Sequence, residues 1–318
     1  SSTTPDIMKL LTQTKALADE TRLRLLGVLA RHELNVGEIV QVMDMGQSRI
    51  SRHLKILMDA GLLGCQRHGL WAFYSADAAN GSRALLTAVL EGLADLPEHR
   101  LDLDAAAQVL GERRRSTTRF FDGVASDWKR LSREMLGDFE LGQAILGRLE
   151  ASGPDVGTVV DLGCGPGLLL GHLAGAAERV IGVDNSARML DAAAKLLPEG
   201  PEVSLRIGDL EHLPLRDGEA DAAVMSLVLH HLASPQAGVA EMGRVVRPGG
   251  RAVLADFLLH DNEALRTGYG DRWLGFAPDD LRSWLERAGF LELSCERHPV
   301  NLGLTLMVIT ARREEFSV

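Results

Sequence analysis

Three glycines at alternating positions, Gly163, Gly165 and Gly167, lie in the stretch Val159-Val-Asp-Leu-Gly-Cys-Gly-Pro-Gly167, and the carboxylates Asp161, Asp184 and Asp209 stand near the ends of successive apolar runs. Glycines spaced in this way let backbone pass close beneath a ligand, while carboxylates accept hydrogen bonds from hydroxyl, amino and ammonium groups. A dinucleotide fingerprint needs a third glycine three residues after the second; counting from Gly165 gives Leu168 and from Gly167 gives Leu170, so no pyrophosphate turn is expected. The pattern is that of an S-adenosylmethionine site. Asp184, 21 residues after Gly163, is placed to accept both ribose hydroxyls, with Asn185 beside it. Asp209 is placed for the adenine amino group, Leu210 and Met189 for the faces of the ring, and Asp161 for the ligand's ammonium.

The elements that must hold these residues follow from periodicity. Strand-like runs at Thr158–Leu162, Arg179–Asp184, Val203–Ile207, Asp221–Ser226 and Arg251–Phe257 alternate with helical stretches, which predicts a doubly wound α/β domain with ligands at the carboxyl ends of the strands. Two final runs, Leu291–Arg297 and Gly303–Arg312, are close enough to pair as a hairpin. Upstream, Phe120, Phe121 and Trp128, with a helical stretch Leu136–Leu149, suit either a lid over the pocket or ordinary core packing. His230 and His231 follow the fourth strand, where either a base or a fold-supporting histidine is expected.

A different chemistry occupies the first hundred residues. Ala18–Ala30 has an acidic start and apolar positions at helical spacing, Val36–Met43 gives a short helix, and Gln47–Gly61 a third. In that third helix Ile50, Leu54 and Leu57 share one face, and Gln47, Ser48, Arg49, Ser51, Arg52, His53 and Lys55 are candidate DNA contacts. Leu62–Ser75 reads as two strands about a turn at His68-Gly69, with Arg67 as a wing contact to backbone phosphate. Helix, turn, reading helix and β-ribbon predict a winged helix-turn-helix. The net charge of −10 does not oppose this, because residues 1–100 carry 11 basic and 11 acidic residues, leaving the excess of acid in 101–318. Within 47–71 four basic residues face Asp59 alone.

Ala18-Asp-Glu-Thr-Arg22, Ser51-Arg-His-Leu-Lys55 and Ala60-Gly-Leu62 resemble the ArsR/SmtB family of bacterial repressors over about residues 7–95. The resemblance implies a homodimer, with the amphipathic stretch Leu85–Leu96 at its interface, on an inverted-repeat operator in double-stranded DNA. Metal sensors of that family carry a Cys-x-Cys pair where this chain has Glu33-Leu-Asn-Val-Gly-Glu38, so no metal is expected there, and none is assigned elsewhere. Residues 120–312 resemble class I methyltransferases of the ubiquinone/menaquinone-biosynthesis type through Val159–Gly167, Val183-Asp184, Asp209, Val228-Leu-His-His-Leu232 and Arg247-Pro-Gly-Gly250. The joined chain resembles ArsR-type fusions, among them repressors of methionine metabolism that respond to S-adenosylhomocysteine.

The expected organisation is therefore 1–97 for the winged domain, 98–119 for a linker and 120–318 for the ligand domain. Cys65, Cys164 and Cys295 make neither a disulfide framework nor a paired-Cys zinc site, and the absence of a long apolar run or leader pattern implies a cytoplasmic protein with no membrane partner. The preferred function is a transcriptional repressor whose operator binding is controlled by S-adenosylhomocysteine. The alternative is a small-molecule methyltransferase, using S-adenosylmethionine, that regulates its own gene.

Overall fold

The computed structural model describes residues 7–68, 71–76, 83–151, 156–197 and 202–315. It divides into two compact units, Ser1–Arg113 and Arg114–Val318. Among the described residues no helix is long and apolar enough to cross a membrane.

The first unit contains α1 (Ile7–Leu17), α2 (Glu20–Leu29), β1 (Leu34–Asn35), α3 (Val36–Met43), α4 (Gln47–Asp59), β2 (Gly64–His68), β3 (Trp71–Ser75), α5 (Arg83–Leu93) and the first part of α6 (Pro97–Val124). Asp19 caps α2 by accepting the Arg22 N–H at 3.0 Å. Leu25, Leu26 and Leu29 of α2 close a core with Ile39 of α3 and Ile50, Leu54 and Leu57 of α4. β1, β3 and β2 form a three-stranded antiparallel sheet, with Cys65 opposite Tyr74 and His68 opposite Trp71. Gly69 of the expected wing turn lies outside the described residues.

The stretch that would hold thiolates in a metal sensor is a helix cap. Asn35 Oδ1 accepts the Glu38 N–H at 3.1 Å and Glu38 Oε2 accepts the Asn35 N–H at 2.9 Å, a reciprocal capping box. Arg113, buried, also bonds the Glu38 carboxylate.

The stretch expected to be a linker, residues 98–119, lies wholly within α6. Helix formers such as Ala105-Ala-Ala107 and Leu110 propagate it, and Ala106 is wholly buried in the first unit's core. The division between units consequently falls inside a helix.

The second unit adds α7 (Trp128–Leu136), α8 (Leu141–Glu150), β4 (Thr158–Leu162), α9 (Leu170–Leu173), β5 (Arg179–Asp184), α10 (Ala187–Leu196), β6 (Glu202–Ile207), β7 (Ala220–Ser226), α11 (Pro235–Val245), β8 (Val246–Phe257), α12 (Ala264–Gly268), α13 (Pro278–Arg287), β9 (Phe290–Pro299) and β10 (Thr305–Arg313). They build a seven-stranded sheet in the order β6-β5-β4-β7-β8-β10-β9. β6 to β8 are parallel, and the final pair is the expected antiparallel hairpin, with Ile309 opposite Cys295. From β4 the chain moves outward through β5 and β6, then returns to the other side of β4 for β7. This reversal opens a crevice beyond the carboxyl ends of β4, β5 and β7, where the chemistry-bearing residues are found.

Candidate functional site

The turn after β4 is shaped by its glycines. Gly163, Gly165 and Gly167 all have positive φ, at 81°, 51° and 83°. At Gly163 a Cβ would stand 2.4 Å from Val228 Cγ2, so glycine is needed for packing as well as for conformation. A Cβ at Gly165 would meet nothing nearer than Trp128 at 3.8 Å, which leaves backbone open to the crevice. Gly167 is not part of the crevice wall: its Cβ would press on Ala193 of α10 at 3.0 Å, so glycine here allows close helix packing.

The crevice is walled by Asp161, Gly163, Gly165, Asp184, Asn185, Met189 and Leu210. The structure thus brings seven of the nine sequence-assigned ligand residues together. Asp184 accepts the Gly165 N–H through Oδ2 and the Ser186 N–H through Oδ1, each at 2.9 Å, and so ties the glycine turn to the start of α10. Burial pushes its carboxyl up, against the opposing pull of the backbone N–H groups of Ser186, Gly165 and Asn185. Asp161 is also buried, and burial followed by the charge of Asp184 pushes it to about 7. Its Oδ2 has no hydrogen-bond partner among the described residues. A cationic ligand group is the chemistry that such a carboxylate fits.

Asp209 is the second exception. Its Oδ1 accepts the Glu211 N–H at 2.9 Å, a local turn, while Oδ2 stands 3.7 Å from both Arg114 and His212, and the side chain is not part of the crevice wall. The neighbouring Leu210 lines the wall in its place.

Several wall residues were not assigned from sequence. Thr117 lies in α6, within the stretch expected to be linker, and Ser132 and His172 lie on α7 and α9. Phe121, Trp128 and His231 form an aromatic cluster on the same wall, with ring centroids 5.3 Å apart for Phe121 and Trp128 and 4.7 Å for Phe121 and His231. Their sequence signal was three aromatics before the sheet, equally consistent with a lid or a core. Ser186, fully buried, caps α10 and donates its hydroxyl to Asp122 at 2.6 Å.

The paired histidines behave differently. His230 Nδ1 lies 2.7 Å from Asp256 Oδ1; burial alone would lower the imidazole, but the charges of Asp256 and Asp271 outweigh it and hold it at about 9. His231 Nδ1 meets the Gly270 carbonyl at 3.1 Å and must carry the proton of that bond, which leaves Nε2 a bare lone pair. Burial and then the charge of His230 hold its basicity well below the ordinary range. Burial also pushes the Cys164 thiol up, so it is no nucleophile.

In the first unit, Gln47, Ser48, Arg49, Ser51, Arg52 and Lys55 of α4 are exposed, as is Arg67 of β2. His53 is not among them. It falls three residues after Ile50, on the packed side of α4, and is buried with Nδ1 3.7 Å from Asp19; burial lowers its basicity. It lies on the packed side of the helix, apart from the exposed candidates.

Residues 19–63 match the family model for bacterial regulatory proteins of the arsR family, and residues 160–254 match the model for a methyltransferase domain. A demethylmenaquinone methyltransferase of Clavibacter sepedonicus is 27% identical over 59% of this chain and 86% of its own length. Another from Mycolicibacterium vanbaalenii is 37% identical over 35% of this chain and 46% of its own length. An uncharacterised 37.1 kDa protein from transposon TN4556 of Streptomyces fradiae is 43% identical over 36% of this chain. The matched stretch spans only 33% of that protein and less than half of the Mycolicibacterium enzyme. Among solved structures, the N-methyltransferase NodS of Bradyrhizobium japonicum in complex with S-adenosyl-L-homocysteine superposes with a TM-score of 0.52 at 16% identity, over 63% of this chain and 99% of its own. The [4+2]-cyclase SpnF also gives 0.52, at 17% identity, over 62% and 94%. These likenesses establish the fold.

Proposed function

From a chain that carries an ArsR-family helix-turn-helix domain and a class I methyltransferase domain, we infer a transcriptional repressor whose operator binding is controlled by S-adenosylhomocysteine. The observation that carries this reading is Asp161: a buried carboxylate with an unpartnered oxygen, beside the glycine turn, in the same chain as an exposed basic reading helix. The ligand's ammonium pairs with Asp161 and its ribose hydroxyls with Asp184, with Met189 and Leu210 against the adenine. Control then requires only that the ligand bind the DNA-competent and DNA-released conformations unequally. A coupling of about 1–3 kcal/mol, or roughly 5–150-fold, switches a repressor. The regulated genes are those that clear S-adenosylhomocysteine, and the protein acts in the cytoplasm as a homodimer on an inverted repeat.

His231 favours a second reading, methyl transfer to a small acceptor. Its Nε2 lone pair takes the proton of an acceptor hydroxyl as the oxygen attacks the methyl carbon; the carbon–sulfur bond breaks and its electrons remain on sulfur, giving S-adenosylhomocysteine. Calorimetry with both adenosyl ligands, followed by operator binding with and without each, separates the two. Release of DNA by S-adenosylhomocysteine without turnover supports the sensor. Turnover of S-adenosylmethionine with an acceptor, at unchanged DNA affinity, supports the enzyme.

A further inference from the structure

One donor atom from each of His230, His231 and Asp271 lies within 4.8 Å of the other two, and all three residues are buried. His230 directs Nδ1 at Asp256 and His231 directs Nδ1 at the Gly270 carbonyl, so the nitrogen left over on each ring is Nε2. Neither Nε2 has a hydrogen-bond partner among the described residues, and neither has Asp271 Oδ1 or Oδ2. Asp256, by contrast, is fully engaged, accepting also the backbone N–H groups of His230 at 3.2 Å and Phe257 at 2.7 Å. Three buried residues with unsatisfied donor atoms, one from each within 4.8 Å of the others, call for a cation.

We propose that His230, His231 and Asp271 bind one divalent first-row transition-metal ion, Zn²⁺ before others, beside the aromatic wall of the crevice. Distance favours a metal over a shared proton. His230 Nε2 and Asp271 Oδ1 are 3.6 Å apart, beyond the ~2.7–3.2 Å of an N–H···O bond. Two ligands each about 2.0–2.1 Å from a tetrahedral ion stand roughly 3.3–3.4 Å from one another. Charge points the same way. Asp256 and Asp271 set two buried carboxylates beside the histidine pair, and a divalent ion that takes the place of the His230 proton keeps them balanced. The guanidinium groups that act on the cluster are themselves bonded elsewhere, Arg266 to Glu263 and Arg272 to Thr117.

The surroundings match an outer shell, since ligating histidines commonly donate their second nitrogen to a carboxylate or a backbone carbonyl, as His230 does to Asp256 and His231 to Gly270. Two imidazoles and a carboxylate without thiolate suit Zn²⁺, Fe²⁺, Co²⁺ or Mn²⁺ rather than soft ions. His231 lines the crevice, so the remaining coordination position opens toward it and takes water or a ligand oxygen. The ion occupies the lone pair that would accept a proton in methyl transfer, so a metal-loaded chain cannot use His231 as a base. The inference does not depend on the regulator reading.

The test uses the full chain, stripped with a chelator, dialysed against Zn²⁺ or Co²⁺ and measured for bound metal. One equivalent per chain is expected, with visible cobalt bands of a low-symmetry site. Asp271→Asn and His231→Gln should each weaken binding by at least about 100-fold, and the outer-shell change Asp256→Asn by roughly 10–100-fold. Replacement of Cys65 and Cys295 by serine should leave the equivalent in place. Wild-type protein that takes up no metal overturns the proposal whether or not the variants fold. So does an equivalent that persists unchanged in Asp271→Asn, since the ion then sits elsewhere.

Discussion

Asp161 concentrates the electrostatics of the crevice in one side chain. Its carboxyl is pushed to about 7 by burial and then by Asp184, so in the ligand-free protein it holds a proton through much of the acidic range. The sign of its effect on stability follows: a carboxyl raised above its unfolded value favours folding least when ionised, so its penalty is absent below about pH 4 and grows as pH rises toward 7. For ligand binding the direction is opposite. Pairing with an ammonium requires the ionised form, so affinity should fall about tenfold between about pH 8 and about pH 6. Calorimetry across that range checks this, and Asp161→Asn should flatten the profile. A wild-type affinity that is independent of pH would show that no ligand cation meets this carboxylate. Asp161 and Asp184 were legible as strand-end carboxylates because they belong to a motif with fixed spacing. Asp209 shows why strand-end aspartates are ambiguous: the same side chain can turn back on its own backbone, here to Glu211, away from the crevice wall. Asp271 gave no sequence signal, since it comes 40 residues after the histidine pair, in a loop whose path periodicity does not encode.

At the scale of elements, α4 joins packing to recognition, with Ile50, Leu54 and Leu57 inward and Arg49, Arg52 and Lys55 outward. Arg52→Ala removes an exposed cation without touching the core, so operator affinity should fall by about 1–3 kcal/mol if Arg52 reads a base, while adenosyl-ligand affinity stays constant. Fluorescence anisotropy with operator DNA at fixed salt measures the first and calorimetry the second; equal DNA affinity in the variant would remove α4 from the interface. The glycine turn offers a separate test. Gly167→Ala forces a side chain into positive φ and against Ala193, so it should cost about 1–2 kcal/mol in conformation alone, lowering the thermal midpoint even without ligand. A variant with wild-type stability would show that the turn relaxes. Period-2 and period-3.6 patterns made the strands and most helices readable, including the terminal hairpin. α6 was not readable as one helix, because its polar and charged surface resembles a linker and what fixes it is packing of Ala106 in a distant part of the sequence and the pairing of Arg113 with Glu38.

For the whole molecule, the proposed inverted-repeat operator would need two chains, since a single reading helix cannot span two half-sites, with their helices about one DNA turn, roughly 34 Å, apart. Light scattering should give twice the 34.4 kDa chain mass both free and on DNA. A monomer in both states would contradict the symmetric operator. The proposed linkage between ligand and operator belongs to this scale as well, because it would be a property of two binding equilibria in one chain and no single residue would encode it. The most direct measurement is operator affinity of the wild type and of Asp184→Ala, each titrated with S-adenosylhomocysteine. The account predicts that ligand weakens wild-type binding by roughly 5–150-fold, and that the variant binds DNA as the wild type does yet needs at least about tenfold more ligand for release. Wild-type operator affinity that stays constant at saturating S-adenosylhomocysteine would contradict it.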